Sequence, residues 1–347
     1  MPKVLMKGNE AIAEAAIRAG CEAYYGYPIT PQTEVLEYMA RRMPSLGRAF
    51  VQAESELGAV NMVYGAACTG ARVMTTTSSP GYSLMQEGIS YIVCSKLPAV
   101  IVNVMRGGPG LGNIQPAQGD YFQMTKGGGH GDYNAIVLAP STVQETVDLI
   151  VKAFDLADKY RWLVTVIADG MIGQIMEPVE LPEMREVERR QQPWALSGAK
   201  GRPKNVITSL YLGAEKMERV NLELQAMLEK IVAHEVRYET FMADDADILI
   251  VSYGTAARIA ETAIRQARGE GAKVGLFRPI TVFPFPYAEL REAALGRQML
   301  VVELNAGQML EDVRLAVKDE VPITFYGKMG GVVPLPGDIL EEIKKLA

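Results

Sequence analysis

With 347 residues, the chain has room for about two domains of ordinary size. Hydrophobic residues make up 48%, charged residues 22%, and the formal net charge is −6. That balance describes a globular protein with ample core and excludes a broad electrostatic footprint for nucleic acid or an anionic membrane.

Helical spacing over Asn9–Ala19 ends at Gly20, a favourable C-cap. Ala23–Tyr27 reads as a short strand closing at Pro28, and a helix is expected from Thr33 to Met43, ending before Pro44. After Phe50-Val51-Gln52, a helix over Glu56–Thr69 places Ala59, Val60, Val63, Ala66 and Ala67 on one face. Arg72–Thr76 reads as a strand, Met85–Cys94 as a helix and the apolar run Ala99–Met105 as a buried strand. Ile136–Leu138, a helix over Val143–Ala157 and a strand over Leu163–Ala168 complete a parallel βα array.

Beyond Gly170 the composition shifts. Pro178, Pro182, Pro193 and Pro203 stand among charges, so 177–205 reads as an extended connector. Met217, Val220, Leu224, Met227 and Ile231 alternate spacings of three and four. They predict one amphipathic helix over about 213–238, its stripe packed on this chain or on a partner. A second α/β unit opens at Asp247, with strands at Ile248–Ser252, Lys273–Phe277, Met299–Glu303 and Ile323–Phe325 and a helix over Ala256–Ala267. The domain reading is 1–190, a linker over 191–243 and a second unit over 244–347.

Arg106 ends the buried strand and opens a run of four glycines and a proline within six residues. A permanent charge there costs desolvation unless an anion or strong acceptor meets it. Ligands of open α/β sheets sit outside the carboxyl ends of the strands. Arg106 is therefore a candidate for the anionic end of a small molecule; the alternative is an ion pair with Asp120. Pro28 and Pro31 bracket Thr30, whose hydroxyl stands at a strand end or caps the helix at Thr33. Glu56 opens a helix, either as a site carboxylate or as a partner of the helix dipole. Cys21, Cys68 and Cys94 form no Cys-x-x-Cys pair, and the two histidines, His130 and His234, are far apart. That pattern argues against a zinc, iron–sulfur or triad site in this chain. With no disulfide framework, no apolar run of about 18 residues and no export-signal pattern, a cytoplasmic protein is expected.

Taken together, Tyr-Pro-Ile-Thr-Pro at 27–31, Gln-Ala-Glu-Ser-Glu-Leu-Gly-Ala at 52–59 and Thr-Ser-Ser-Pro-Gly at 77–81 carry a family resemblance. So do Met-Arg-Gly-Gly-Pro-Gly-Leu-Gly-Asn at 105–113, Gly-Asp at 119–120, Phe-Arg-Pro-Ile-Thr-Val-Phe-Pro-Phe-Pro at 277–286 and Val-Glu-Leu-Asn-Ala-Gly-Gln-Met at 302–309. The chain closely resembles the α subunit of the 2-oxoacid:ferredoxin oxidoreductases, nearest the branched-chain (2-oxoisovalerate) type. The resemblance implies an α/β fold: a pyrimidine-type thiamine-diphosphate domain followed by a transketolase C-terminal-like α/β domain. It implies that Glu56 hydrogen-bonds the cofactor's aminopyrimidine, with Glu54 as the rival. Pro28 and Ile29 would line the cofactor, and Thr30 and Arg106 would contact the oxoacid. Glu303, Asn305 and Gln308 would be structural or interfacial.

Ala168-Asp-Gly170 lacks the leading glycine of the diphosphate segment, and no asparagine follows before Asn205. By the resemblance, a β subunit then supplies diphosphate binding, Mg2+ and a [4Fe-4S] cluster, with gamma and ferredoxin-like delta subunits completing the complex. The implied reaction converts a 2-oxoacid and coenzyme A to acyl-CoA and carbon dioxide while reducing ferredoxin. Pyruvate or 2-oxoglutarate as substrate, a non-oxidative thiamine enzyme half, and a non-catalytic α/β module are the competing readings. A 2-oxoglutarate enzyme needs a second cation, for which Lys126 and Arg72 are the nearby candidates.

Overall fold

The computed structural model describes residues 2–187, 192–318 and 320–347. In chain order the first elements are β1 (Val4–Lys7), α1 (Gly8–Arg18), β2 (Ala23–Gly26), α2 (Thr33–Ser45), β3 (Ala49–Gln52) and α3 (Glu56–Ala67). Then come β4 (Val73–Thr77), α4 (Ser79–Cys94), β5 (Ala99–Met105), α5 (Tyr121–Thr125), β6 (Ile136–Leu138) and α6 (Val143–Tyr160). β7 (Leu163–Asp169), α7 (Gly170–Gln174), β8 (Met176–Val179) and the long α8 (Ala214–His234) follow. The second half holds β9 (Tyr238–Phe241), β10 (Ile248–Val251), α9 (Gly254–Gly269), β11 (Val274–Pro279), β12 (Thr281–Phe283) and α10 (Tyr287–Ala294). It closes with β13 (Gln298–Glu303), α11 (Gln308–Val317), β14 (Ile323–Gly327) and α12 (Pro336–Lys344).

Two mostly parallel sheets organise these elements, an α/β architecture. The first runs β12-β6-β7-β5-β4-β2-β3, and the second runs β14-β13-β10-β11-β9. All seven residues of β5 are buried, as a strand covered on both faces requires. Helix α1 packs on α2 and α6, and α3 packs on α4. The stripe of α8 buries Val220, Leu224 and Ile231 on this chain. One apolar cluster continues from the first unit through Tyr253, Phe277, Val301 and Met309 into the second. A smaller one fills the far face of the second sheet around Ile264, Leu276 and Ile343.

Several boundaries differ from expectation for identifiable reasons. Helix α2 runs through Pro44 to Ser45, because a proline in the last turn sacrifices only its own amide bond. Helix α4 begins at Ser79, six residues before the expected start, since Pro80 in the first turn favours a helix rather than breaking one. The parallel array gains an antiparallel edge: β12, from the second half, pairs with β6 in the first sheet. The connector starts as a strand, β8, paired with β1. Helix α8 stops at His234, and β9 takes up the segment beginning at Tyr238. The expected boundary at 190/191 lies outside the described residues.

Candidate functional site

The loops that follow β2, β3, β4, β5 and β7 all leave the same, carboxyl edge of the first sheet, because those strands are parallel. Two ionic side chains there stand out. The first is Glu56. Ser55 caps α3, its hydroxyl accepting the Gly58 amide at 3.1 Å, and this fixes Glu56 as the first helical residue. Glu56 is only 4% exposed, yet no described residue donates a hydrogen bond to its carboxylate. The first turn of α4 closes over it: a Cβ on Gly81 would stand 2.5 Å from Glu56 Oε1 and 2.1 Å from Thr77 Oγ1. A buried carboxylate costs several kcal/mol when no donor meets it. The cradle fits a ligand that brings its own donor. Glu54 is exposed and accepts the Ser55 hydroxyl at 3.1 Å.

The second is Arg106, 7% exposed at the end of β5. Its Nη1 donates to the Thr30 carbonyl and its Nη2 to the Leu111 carbonyl, both at 2.9 Å. Its Nε is buried without an acceptor. Among the described residues no carboxylate pairs with it. The Asp120 carboxylate instead accepts Ser79 Oγ at 2.5 Å and Asn103 Nδ2 at 2.8 Å, and burial holds its pKa above the usual carboxylate value. The guanidinium thus rests on two neutral carbonyls and makes no salt bridge among the described residues; the Asp120 carboxylate acts on it only at longer range.

Thr30 is brought to this cation through its backbone. The Pro28–Pro31 loop is pinned from below, where Asn9 Nδ2 donates to the Pro31 carbonyl at 2.7 Å and Thr76 Oγ1 meets Gln32 Oε1 at 2.6 Å. Pro28 and Thr30 are exposed and Ile29 is half-buried, all at the same sheet edge. Glu56, Arg106 and Thr30 are therefore gathered, with the α4 first turn between the carboxylate and the cation: Gly81 touches Glu56, and Ser79 Oγ accepts the Arg106 amide at 3.1 Å.

The sequence reading missed the residue that closes this edge. Gln118, fully buried, donates from its backbone amide to Leu304 O at 3.0 Å and from Nε2 to Tyr253 O at 2.8 Å. Its Oε1 accepts the Leu304 amide at 2.9 Å and its carbonyl accepts Asn305 Nδ2 at 2.8 Å. These partners sit at the carboxyl ends of β10 and β13, so the loop after Arg106 is stitched to the second sheet. Glu303 and Asn305 cap α11: Glu303 takes the Met309 and Leu310 amides at 2.8 and 2.9 Å, and Asn305 Oδ1 takes the Gly307 and Gln308 amides at 2.7 and 3.0 Å. Burial lifts Glu303 to a pKa of about 7. Asp169, in the Ala168-Asp-Gly170 segment, caps α7 and accepts Thr255 Oγ1 at 2.8 Å. The two other cations that the sequence offered are engaged: Lys126 pairs with Asp312, and Arg72, at the amino end of β4 and so at the opposite edge of the sheet, pairs with Asp155 and Asp158.

Two linked, mostly parallel sheets, stitched together at their carboxyl edges, give the chain a transketolase-like α/β fold. The fold matches a split-gene transketolase at a TM-score of 0.62 and 14% identity, over 98% of this chain and 97% of that one. The sequence is more specific. Residues 14–243 match the family described as "Pyruvate flavodoxin/ferredoxin oxidoreductase, thiamine diP-bdg", and residues 246–339 match "Pyruvate:ferredoxin oxidoreductase core domain II". The ketoisovalerate oxidoreductase subunit VorB of Methanothermobacter thermautotrophicus is 50% identical over 100% of this chain and 99% of its own. The 2-oxoglutarate synthase subunit KorA of Methanothermobacter marburgensis is 38% identical over 97% of each. The 2-oxoglutarate:ferredoxin oxidoreductase of Magnetococcus marinus, solved with 2-oxoglutarate, coenzyme A and succinyl-CoA, superposes at a TM-score of 0.87 with 28% identity. This chain spans 99% of itself and 65% of that longer chain in the match. The chain belongs to the 2-oxoacid:ferredoxin oxidoreductases, as an α-type subunit.

Proposed function

We propose that this chain is the α subunit of a thiamine-diphosphate-dependent oxidoreductase that decarboxylates a branched-chain 2-oxoacid, with coenzyme A and ferredoxin as co-substrates. The observation that carries the reading is the placement, on one sheet edge, of a buried carboxylate without a donor and a buried guanidinium without a salt-bridge partner among the described residues. Glu56 fits the ring nitrogen of a protonatable aminopyrimidine, and Arg106 the carboxylate of the substrate. Thiamine diphosphate, when bound, supplies the carbon nucleophile and electron sink that the chain's own side chains lack. Glu56 would hold a proton at the pyrimidine nitrogen, Pro28 and Ile29 would border the ring, and Thr30 and Arg106 would orient the oxoacid. A charge-assisted contact from Arg106 to a carboxylate would be strongest with water excluded from the filled site.

The aliphatic substrate class is supported by the surroundings of Arg106. Lys126 is committed to Asp312, and Arg72 lies at the opposite edge of the sheet bound to Asp155 and Asp158, so neither is placed to meet the second carboxylate of 2-oxoglutarate. The loop that follows the cation carries the exposed apolar residues Leu111 and Ile114 instead. Diphosphate, Mg2+ and a [4Fe-4S] cluster fall to a β subunit in this reading, with gamma and delta subunits and a ferredoxin receiving the electrons, in the cytoplasm. Among the described residues no helix is long and apolar enough to cross a membrane. The test is an assay of the complex copurified with this chain, using viologen dye reduction over a panel of 2-oxoacids with coenzyme A. Preference for 2-oxoisovalerate over pyruvate and 2-oxoglutarate is expected. A preference for 2-oxoglutarate would overturn the substrate assignment, and turnover without any electron acceptor would overturn the oxidoreductase reading for the complex.

A further inference from the structure

A chain of hydrogen bonds leads from the second unit to Arg106. Gln118 is held by β10 and β13 through the four bonds described above. Gln308, on α11, straddles the next turn: its Nε2 donates to the Gly119 carbonyl at 2.8 Å and its Oε1 accepts the Phe122 amide at 2.9 Å. Two glutamines thus clamp the backbone on either side of Asp120. Asp120 in turn offers a single oxygen, Oδ2, to both Ser79 Oγ and Asn103 Nδ2. Ser79, its proton committed to that carboxylate, presents a lone pair to the Arg106 amide.

We propose that Asp120 is a positioning residue for the oxoacid site: clamped by Gln118 and Gln308 of the interdomain seam, it fixes Ser79, and Ser79 fixes Arg106. The second unit then has a task in substrate binding through the backbone it holds. The inference rests on the assignment of Arg106 as the oxoacid contact. Its physical logic is that the guanidinium hangs from a glycine-rich loop and rests on two backbone carbonyls, so its aim depends on where its own backbone is held. A displacement of about 1 Å at such a contact costs up to about a hundredfold in rate.

Because only one oxygen of Asp120 is used, asparagine can accept both donors, whereas alanine accepts neither. In the complex with its partner subunits, Asp120→Ala should raise the oxoacid KM about tenfold or more, with a smaller effect on kcat. Asp120→Asn should restore KM to within about threefold of wild type, with an unchanged pH profile. Gln308→Met removes both clamp bonds from a half-buried position and should raise KM in the same direction as Asp120→Ala. On the full-length chain alone, hydrogen exchange of the Arg106 amide should accelerate in Asp120→Ala and in Ser79→Ala. A kcat loss with a missing pH limb in Asp120→Asn would make Asp120 a proton-transfer group and overturn the positioning role. Unchanged exchange at Arg106, or an unchanged KM in an active Asp120→Ala complex, would also overturn it. Failure of the oxoacid assignment itself is read separately, as absent 2-oxoacid turnover by the wild-type complex; exchange at Arg106 still decides whether Asp120 holds it.

Discussion

Replacing Glu56 by glutamine separates the functional from the structural role of the carboxylate. The substitution keeps the shape of the side chain inside the cradle formed by Gly81 and Thr77. No hydrogen bond from a described residue is broken, because none reaches the Glu56 carboxylate. Stability of the isolated chain should therefore stay within about 1 kcal/mol of wild type, less than the roughly 1–3 kcal/mol lost when a satisfied buried group loses its partner. The function should respond differently. An amide can hydrogen-bond a pyrimidine nitrogen but cannot share a proton with it. Cofactor activation should then fall by about the 10²- to 10⁴-fold typical of lost acid–base assistance. The assay is hydrogen–deuterium exchange at the thiazolium C2 of thiamine diphosphate bound to the assembled complex, which isolates activation from decarboxylation and electron transfer. Glu54→Gln, at an exposed position, is the control and should keep most of the wild-type rate. Wild-type exchange in Glu56→Gln with slow exchange in Glu54→Gln would transfer the role to Glu54. Normal exchange in both would remove the cofactor assignment from this segment.

Arg106→Lys should lower kcat/KM for the oxoacid by about ten- to over a hundredfold, the equivalent of one charge-assisted hydrogen bond of about 1.5–3 kcal/mol. An ammonium group cannot meet Thr30 O, Leu111 O and a substrate carboxylate in one plane, and steady-state kinetics with an unchanged kcat/KM would refute this. Gly81→Ala places a methyl within 2.5 Å of both Thr77 and Glu56, so it should destabilise the chain by about 1–3 kcal/mol and slow C2 exchange, measured by denaturant unfolding and by exchange on the complex. Glu303 supplies a pH test. Its folded pKa of about 7 lies above the ordinary 4.5, so its contribution is fully present below about pH 4.5 and is lost as pH rises through 7. The stability advantage of wild type over Glu303→Gln in denaturant unfolding should shrink by about 3 kcal/mol between pH 4 and 8; a pH-independent difference would contradict the burial argument.

What could be read from the sequence follows from what has a local signature. A seven-residue apolar run ending in Arg106 announces a buried strand with a charge at its tip, and the structure has β5 at the expected residues. The apolar face of Ala59, Val60, Val63, Ala66 and Ala67 announces a helix opening at Glu56, and α3 begins there. Gln118 has no such signature. Its partners Tyr253, Leu304 and Asn305 lie 135 to 187 residues away, and every one of those hydrogen bonds involves a backbone atom, whose position no side-chain pattern encodes. The same holds for β12, three residues that join the first sheet only because the second unit docks against it. The early start of α4 was hidden for the opposite reason. Ser-Pro-Gly reads locally as a turn, yet here Pro80 supplies the first helical turn and Gly81 allows that turn to close on Glu56.

The two polar groups of the site raise a question that packing alone does not answer: why a buried carboxyl group and a buried guanidinium on one sheet edge do not pair with each other. A buried ion pair forgoes part of its desolvation cost by mutual attraction, whereas separate buried charges forgo nothing. The first turn of α4 stands between them, with Gly81 against Glu56 and the Ser79 hydroxyl on the Arg106 amide. That turn is itself fixed through Asp120 and Asn103, and through Gln118 and Gln308 by the second sheet. Keeping the charges apart is thus the outcome of contacts recruited from both units. The arrangement makes sense for a ligand set that is polar at both ends, with a proton to share at the pyrimidine and a carboxylate to place at the guanidinium. Each group then gains a direct partner when the site is filled, so the stability forgone in the isolated chain is returned as binding free energy at the two points where orientation matters.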